Sequence, residues 1–190
     1  NWRAQYISAL NYCTGVASGP NHERGNSQHI WVAHVRLPEW GIDEVRNEER
    51  WSWEKAPLRN AIFHDYCNII NSSCHCKFHE FRGYTLTDLL NTINACTGWG
   101  WNIEELRRCG ERITTLQKIL NIRCGWQKEH DFQYPKRFME PVDEGPAAGK
   151  IPIGLENAIT EYYQVRGWDE NGKPTAGLIR RLGMEEYAKE

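Results

Sequence analysis

Ten residues in mid-chain, Thr97-Gly98-Trp99-Gly100-Trp101-Asn102-Ile103-Glu104-Glu105-Leu106, hold a helix stop, an aromatic loop and a helix start. Gly98 suits the left-handed position that closes a helix. Asn102 followed three residues later by Glu105 is a capping box, with Asn in the Ser/Thr role. A chain punctuated in this way is committed to two helices joined by a short loop. The same punctuation recurs on both sides. Upstream, Pro57 suits the start of a helix running to about Asn71, with Leu58, Ile62, Tyr66 and Ile69 at helical spacing. Thr85 or Thr87 caps a helix running to about Cys96. The helix after Asn102 carries a stripe of Leu106, Ile113, Leu116 and Leu120. Arg107, Arg108, Glu111, Arg112 and Lys118 face elsewhere, and Gly125 ends it.

Downstream, Leu155–Arg166 reads as a helix stopped by Gly167. Asn171-Gly172 is a tight turn, and Thr175 caps a short last helix that ends at Gly183. Tyr6-Ile7-Ser8-Ala9-Leu10 opens a helix, residues 15–29 read as a loop, and Leu37-Pro38-Glu39-Trp40-Gly41 is turn-like. Residues 126–154, rich in Pro and Gly, are expected to run extended over a surface. No strand alternation of length and no internal repeat interrupts this pattern, so the expected fold class is mostly α.

Length and composition narrow the function. A chain of 190 residues suits one domain, or one large and one trivial one. Nine Trp imply a large interface or a packed cofactor surround, because Trp buries a large area per residue. A net charge of -2 offers no basic excess for a nucleic-acid backbone. No apolar run is long enough to span a membrane. The opening Asn1-Trp2-Arg3-Ala4 lacks the pattern of a signal peptide and lacks an initiator Met, which reads as a processed or truncated chain. Seven Cys, an odd number without a disulfide-framework spacing, point to a reducing, cytoplasmic compartment with some thiols reserved for metal.

Between 64 and 79 lie His64, Cys67, Cys74, His75, Cys76 and His79. Thiolate and imidazole suit zinc, and thiolates suit iron–sulfur clusters. His64-x2-Cys67 and Cys76-x2-His79 are candidate zinc pairs, but the gap between them is too short for the usual finger loop. An iron–sulfur cluster needs about four Cys, and only Cys67, Cys74 and Cys76 are local. One ligand given to a cluster held elsewhere is the more reasonable use. Cys13, Cys96, Cys109 and Cys124 read as buried free thiols. His29 and His34 flank Ile30-Trp31-Val32-Ala33, and either is a general-acid candidate or a structural histidine.

From about Asn71 almost to its end, the chain resembles the C-terminal domain of the aldehyde:ferredoxin oxidoreductase family, the tungsten bis-pterin enzymes. The resemblance rests on Leu89-Leu90-Asn91, Thr97-Gly98-Trp99, Glu104-Glu105-Leu106, Gly110-Glu111-Arg112-Ile113, Asn121-Ile122-Arg123 and Pro135-Lys136-Arg137-Phe138. It continues through Glu144-Gly145-Pro146, Tyr162-Tyr163 and Arg166-Gly167-Trp168-Asp169-Glu170-Asn171-Gly172. It is much weaker before residue 57. On this reading residues 1–56 are a poorly matching part, with site-lining loops as a use for it, and 57–190 are the helical oxidoreductase domain.

The resemblance implies a set of site residues. Family members carry Asp-x-x-Gly-Leu-Cys just before Lys/x-Phe, where the Cys ligates a [4Fe–4S] cluster and the preceding residues contact a pterin. Here the motif reads Asn71-Ser72-Ser73-Cys74-His75-Cys76-Lys77-Phe78. Cys76 matches the cluster ligand, and Asn71, Cys74, His75 and Lys77 fall in the pterin-contacting stretch. Asn71 for Asp keeps an acceptor oxygen and loses the charge. Cys74 for Gly adds a side chain where the backbone approaches the cofactor. His75 for Leu adds a titratable group beside the cluster. Arg24-Gly25-Asn26-Ser27-Gln28-His29 resembles an upstream family segment whose His acts in proton transfer, so His29 is the candidate acid and His34 the reserve.

The family's remaining cluster ligands lie in a Cys-x2-Cys-x3-Cys motif that this chain lacks, as it lacks the N-terminal β domain that cradles the pterins. The resemblance therefore implies partner chains carrying the missing domains, ferredoxin or another electron carrier, and a small aldehyde or acyl-CoA substrate. The implied cofactors are a tungsten or molybdenum bis-pterin, a [4Fe–4S] cluster and an optional magnesium ion. The class II benzoyl-CoA reductase branch is an alternative within the family. The rivals outside it are a zinc-binding interaction module built on Cys67, Cys74, Cys76 and His79, and a metal-free structural subunit.

Overall fold

The computed structural model describes residues 5–15, 25 and 27–187. Seven α-helices lie among these residues: α1 (Tyr6–Thr14), α2 (His29–Val32), α3 (Ala56–Ser72), α4 (Leu86–Thr97), α5 (Ile103–Arg123), α6 (Leu155–Arg166) and α7 (Ala176–Leu182). Pairing between extended segments is limited, among the described residues, to isolated bridges such as Leu37 with Ile42 and Trp168 with Pro174. The fold is mostly α. No helix among the described residues is long and apolar enough to cross a membrane.

Local chemistry sets the helix ends. The Asn102 side chain accepts from the backbone N–H groups of Glu104 and Glu105, both at 2.9 Å, while Glu105 accepts from the Asn102 N–H at 2.8 Å. Thr85, rather than Thr87, caps α4 through a reciprocal pair with Asp88. Gly98, Gly167 and Gly183 take left-handed conformations and stop α4, α6 and α7. Between α4 and α5, Asn94 holds the Trp101 backbone by two hydrogen bonds of 2.8 Å, which fixes the aromatic loop.

α3 is the central element. It packs most heavily on α5 and α6 and also on α1. Two apolar clusters flank it. One joins Ile7, Ile30, Trp31, Phe63, Tyr66 and Leu89, and the other joins Leu10, Ile119, Ile159, Tyr162, Trp168 and Leu178. Trp31 and Trp40 are buried and Trp51 and Trp53 half-buried, whereas Trp2 lies outside the described residues. Gly110 lets α5 approach α3. A Cβ there would meet the Asp65 carbonyl oxygen at 2.8 Å and Ile69 Cδ1 at 2.9 Å.

Helical periodicity mispredicts two faces. On α3, Leu58 is exposed, while Arg59, Asn60, His64, Asp65 and Asn68 are buried. On α5, Leu120 is exposed, and Gly110, Thr114, Thr115 and Lys118 face inward. The reason is that the α3–α5–α6 seam is polar. Asp65 accepts from Arg166 Nη1 and Thr114 Oγ1, each at 2.7 Å, and Arg166 also donates to Tyr162 Oη and the Ala61 carbonyl. The Lys118 ammonium sits 3.0 Å from the Trp126 ring centroid and 3.6 Å from Asp131. Burial pushes that ammonium down to about 8, against the opposing pull of Asp131.

His64 is part of the same network and is not a metal ligand. Its Nδ1 lies 2.7 Å from Tyr162 Oη and its Nε2 2.6 Å from Asn11 Oδ1. Tyr162 receives a hydrogen bond from Arg166 and so passes its own proton towards His64 Nδ1, which leaves Nε2–H to donate to Asn11. Burial and then the Arg166 charge hold the imidazole well below its ordinary proton affinity. The unfolded chain binds a proton below about pH 6.5 that the folded chain refuses, so stability falls as pH drops. We predict a loss of about 1.4 kcal/mol per pH unit from this group in urea titrations between pH 6.5 and 5. His64→Gln should flatten that limb; an unchanged limb would assign the loss to carboxylates.

Candidate functional site

The site is built where α3 ends. Its last turn closes with a Schellman motif. The Cys74 N–H bonds the Asn71 carbonyl at 3.2 Å and the His75 N–H bonds the Ile70 carbonyl at 3.0 Å. Cys74 occupies the left-handed position of that motif, with φ of 56°. The Gly-to-Cys departure thus has a backbone meaning: the position that ends the helix favours glycine, whatever approaches it from outside. Left-handed backbone costs a non-glycine residue about 1–2 kcal/mol, partly offset by the greater freedom of an unfolded glycine. Cys74→Gly should raise stability by about 0.5–1 kcal/mol in chemical denaturation. A lowered midpoint would reveal a compensating contact of the thiol.

Cys76 then caps a 3-10 turn, Lys77–Arg82. Cys74 and Cys76 are exposed free thiols on either side of half-buried His75. The His75 ring stacks on Tyr84 at 5.0 Å and meets His79 at 5.5 Å, and Tyr84 Oη is anchored to Thr92 Oγ1 on α4 at 2.8 Å. Asn71 is exposed in the last turn of α3, and Lys77 is half-buried close enough to act on Cys67. A pocket of about 310 Å³ opens beside this junction, lined by Ile69, Ser72, His75, Ile93, Trp99 and Trp101 among others.

His29 opens α2 and is buried against the same turn. Its Nδ1 lies 2.8 Å from Glu80 Oε2, and its ring meets Phe81 at 5.4 Å. The structure therefore brings His29 onto the segment that carries Cys76. His34 is exposed at the turn leaving α2, with φ of 52°, and does not share that carboxylate. Of the segment leading to His29, Arg24 and Asn26 lie outside the described residues. Gly25 passes so close to α1 and α3 that a Cβ would stand 2.1 Å from Asn11 Oδ1 and 2.4 Å from His64 Cδ2.

Among the described residues no group of three or more His, Cys, Asp or Glu side chains is placed to hold a metal ion. The zinc pairing of His64 with Cys67 fails, because both His64 nitrogens are engaged and burial pushes the Cys67 thiol up to about 12. The other thiols divide. Cys96 and Cys124 are exposed, against the expectation of burial, while Cys13 and Cys109 are half-buried. Among the described residues Cys76 is an exposed free thiol that belongs to no such group.

Glu80 went unread in the sequence. Its only local signal is a lone acid between His79 and Phe81, four residues beyond Cys76. The side chain is 2% exposed, which no local pattern reveals.

Comparison with known proteins gives a consistent family. The family model described as aldehyde ferredoxin oxidoreductase, domains 2 and 3, matches residues 1–184, including the N-terminal stretch where the motif likeness is weakest. The tungsten-containing aldehyde ferredoxin oxidoreductase of Pyrococcus furiosus is 34% identical over 127 residues, which is 66% of this chain and 21% of that protein. The protein of the same name from Pyrococcus horikoshii is 32% identical over the same shares. The aliphatic sulfonate oxidoreductase, WOR-like subunit, of Pyrococcus furiosus is 35% identical over 63% of this chain and 20% of its own length. The chain spans about a fifth of the length of the curated relatives it matches.

Proposed function

The chain belongs to the aldehyde ferredoxin oxidoreductase family, and on that premise we propose that it forms the C-terminal part of a tungsten (or molybdenum) bis-pterin, iron–sulfur oxidoreductase. The substrate class is an aldehyde oxidised to a carboxylic acid, with electrons delivered to ferredoxin or a similar carrier. The remaining domains are supplied by the rest of a longer protein or by partner chains, and the compartment is the cytoplasm. The observation that supports this reading best is the single turn that presents exposed Cys76 and holds buried His29 through Glu80.

The residues fit the role. Cys76 would give one thiolate to a [4Fe–4S] cluster. Asn71, Cys74, His75 and Lys77 would meet the pterin along the end of α3, with magnesium an optional companion. When bound, the metal–pterin centre supplies two-electron chemistry and the cluster supplies the exit for electrons. The chain's own contribution is orientation and proton handling. His29, whose imidazole can both accept and donate a proton, takes or gives the substrate proton, and His34 is the reserve. Asn71 offers an amide oxygen without charge, so its grip on an amino-bearing ring is weaker than that of a carboxylate.

The relative named an aliphatic sulfonate oxidoreductase subunit favours a second reading, in which the substrate is not a simple aldehyde; an acyl-CoA, as in the benzoyl-CoA reductase branch, is one such case. The test is elemental analysis by mass spectrometry on the natively purified full protein with its co-purifying chains. Tungsten or molybdenum with about four iron per assembly is the expected result. Zinc alone, or no metal, would overturn it in favour of a binding or structural module.

A further inference from the structure

Glu80 is a carboxylate withdrawn from solvent, with its side chain 2% exposed on a turn whose Phe78 and Phe81 rings are themselves exposed. One oxygen, Oε2, faces His29 Nδ1 at 2.8 Å. The other, Oε1, is buried without a hydrogen bond. The Tyr66 phenol is its second neighbour: burial first, then the Glu80 charge and a hydrogen-bonding contact with that carboxylate, raise the phenol's proton affinity. The carboxylate thus faces one imidazole and one phenol, and of the two only the imidazole has a tautomer for it to set.

We propose that Glu80 is the positioning residue of His29, holding the ring as the Nδ1–H tautomer and leaving Nε2 as the one nitrogen free to carry a proton. This rests on His29 being the proton carrier proposed above. The physical argument is short. A neutral imidazole has one donor and one acceptor nitrogen, and an ionised carboxylate only accepts. The nitrogen facing Glu80 must therefore bear hydrogen, and the tautomer is set by that bond. When Nε2 takes a proton, the same carboxylate compensates the new charge without moving. Because Glu80 lies on the turn that Cys76 caps, one short segment orients both the thiolate and the imidazole.

The experiment uses the full assembled protein, labelled with 15N-histidine, with the His29 signal assigned by its loss in His29→Gln. In the native protein we expect His29 as Nδ1–H. Glu80→Met has similar reach and no acceptor, and should mix the tautomers. It should also lower kcat by about 10–100-fold with little change in KM. Glu80→Gln keeps an acceptor oxygen and should restore the Nδ1–H form. A native Nε2–H signal overturns the proposal without any variant. So does Glu80→Met that retains Nδ1–H, or Glu80→Gln that behaves as Met does. If the tautomer changes as expected while Glu80→Met and His29→Gln both keep native kcat, the role of His29 in turnover is overturned instead. The two failures are thus distinguishable.

Discussion

Replacing Arg166 with leucine lowers the unfolding free energy by about 3–5 kcal/mol. The guanidinium makes a set of bonds that leucine cannot replace. It donates to Asp65 Oδ1 at 2.7 Å, to the Ala61 carbonyl at 2.9 Å and to Tyr162 Oη at 3.0 Å, with its side chain 3% exposed. Burial works against its charge, but Asp65 and Tyr162 outweigh that and hold it above its ordinary value. For Asp65 the balance goes the other way: burial pushes its carboxyl up, and Arg166 and Thr114 offset part of the rise. Without Arg166 the carboxylate is left buried and unpaired, and that penalty is the main part of the loss. Asp65→Asn combined with Arg166→Leu should recover a large part of it, since the lone charge is gone. The measurement is the urea midpoint at constant m value. A loss below about 1 kcal/mol in the single variant would mean that water reaches the pair.

Cys76→Ala has the opposite profile. Its side chain is exposed, so stability of the protein fold changes by less than about 0.5 kcal/mol. The expected effect is on the centre: the iron–sulfur spectrum is lost or shifted, and turnover with an electron acceptor disappears with it. A four-thiolate cluster that loses one ligand is either not assembled or carries a replacement ligand, which changes its potential. Cys124→Ala, another exposed thiol, which lies beside Tyr12, Trp126 and Asp131, is the control and should leave spectrum and turnover as they were. An unaltered spectrum in Cys76→Ala would remove this chain from the cluster's ligand set.

The helix ends were legible because their chemistry is local. Asn102 with Glu105, Gly98, Gly167 and the Thr175 cap all act within a few residues. The motif around Cys76 was legible as a resemblance, and its position at a helix end was foreseen. What Cys74 does there was not, because a φ of 56° follows from the Schellman closure. The buried face of α5 was misread as Leu120 outward to solvent shows, since a hydrophobic stripe assumes an apolar partner and α3 offers Asp65 and Asn68 instead.

By itself the sequence determined six of the seven helices among the described residues, their order, the family likeness and a candidate thiol at Cys76. Each depends on residues near one another in the chain. It missed the short α2 and the 3-10 turns Lys128–Phe132 and Lys136–Met139 in the stretch expected to run extended. Only the tertiary structure decided which polar groups are buried and whom they serve. Asp65 meets Arg166 across 101 residues, His64 meets Tyr162 across 98, and His29 meets Glu80 across 51. The physical reason is that a buried polar group must find a partner, and in a packed array of helices that partner comes from another element.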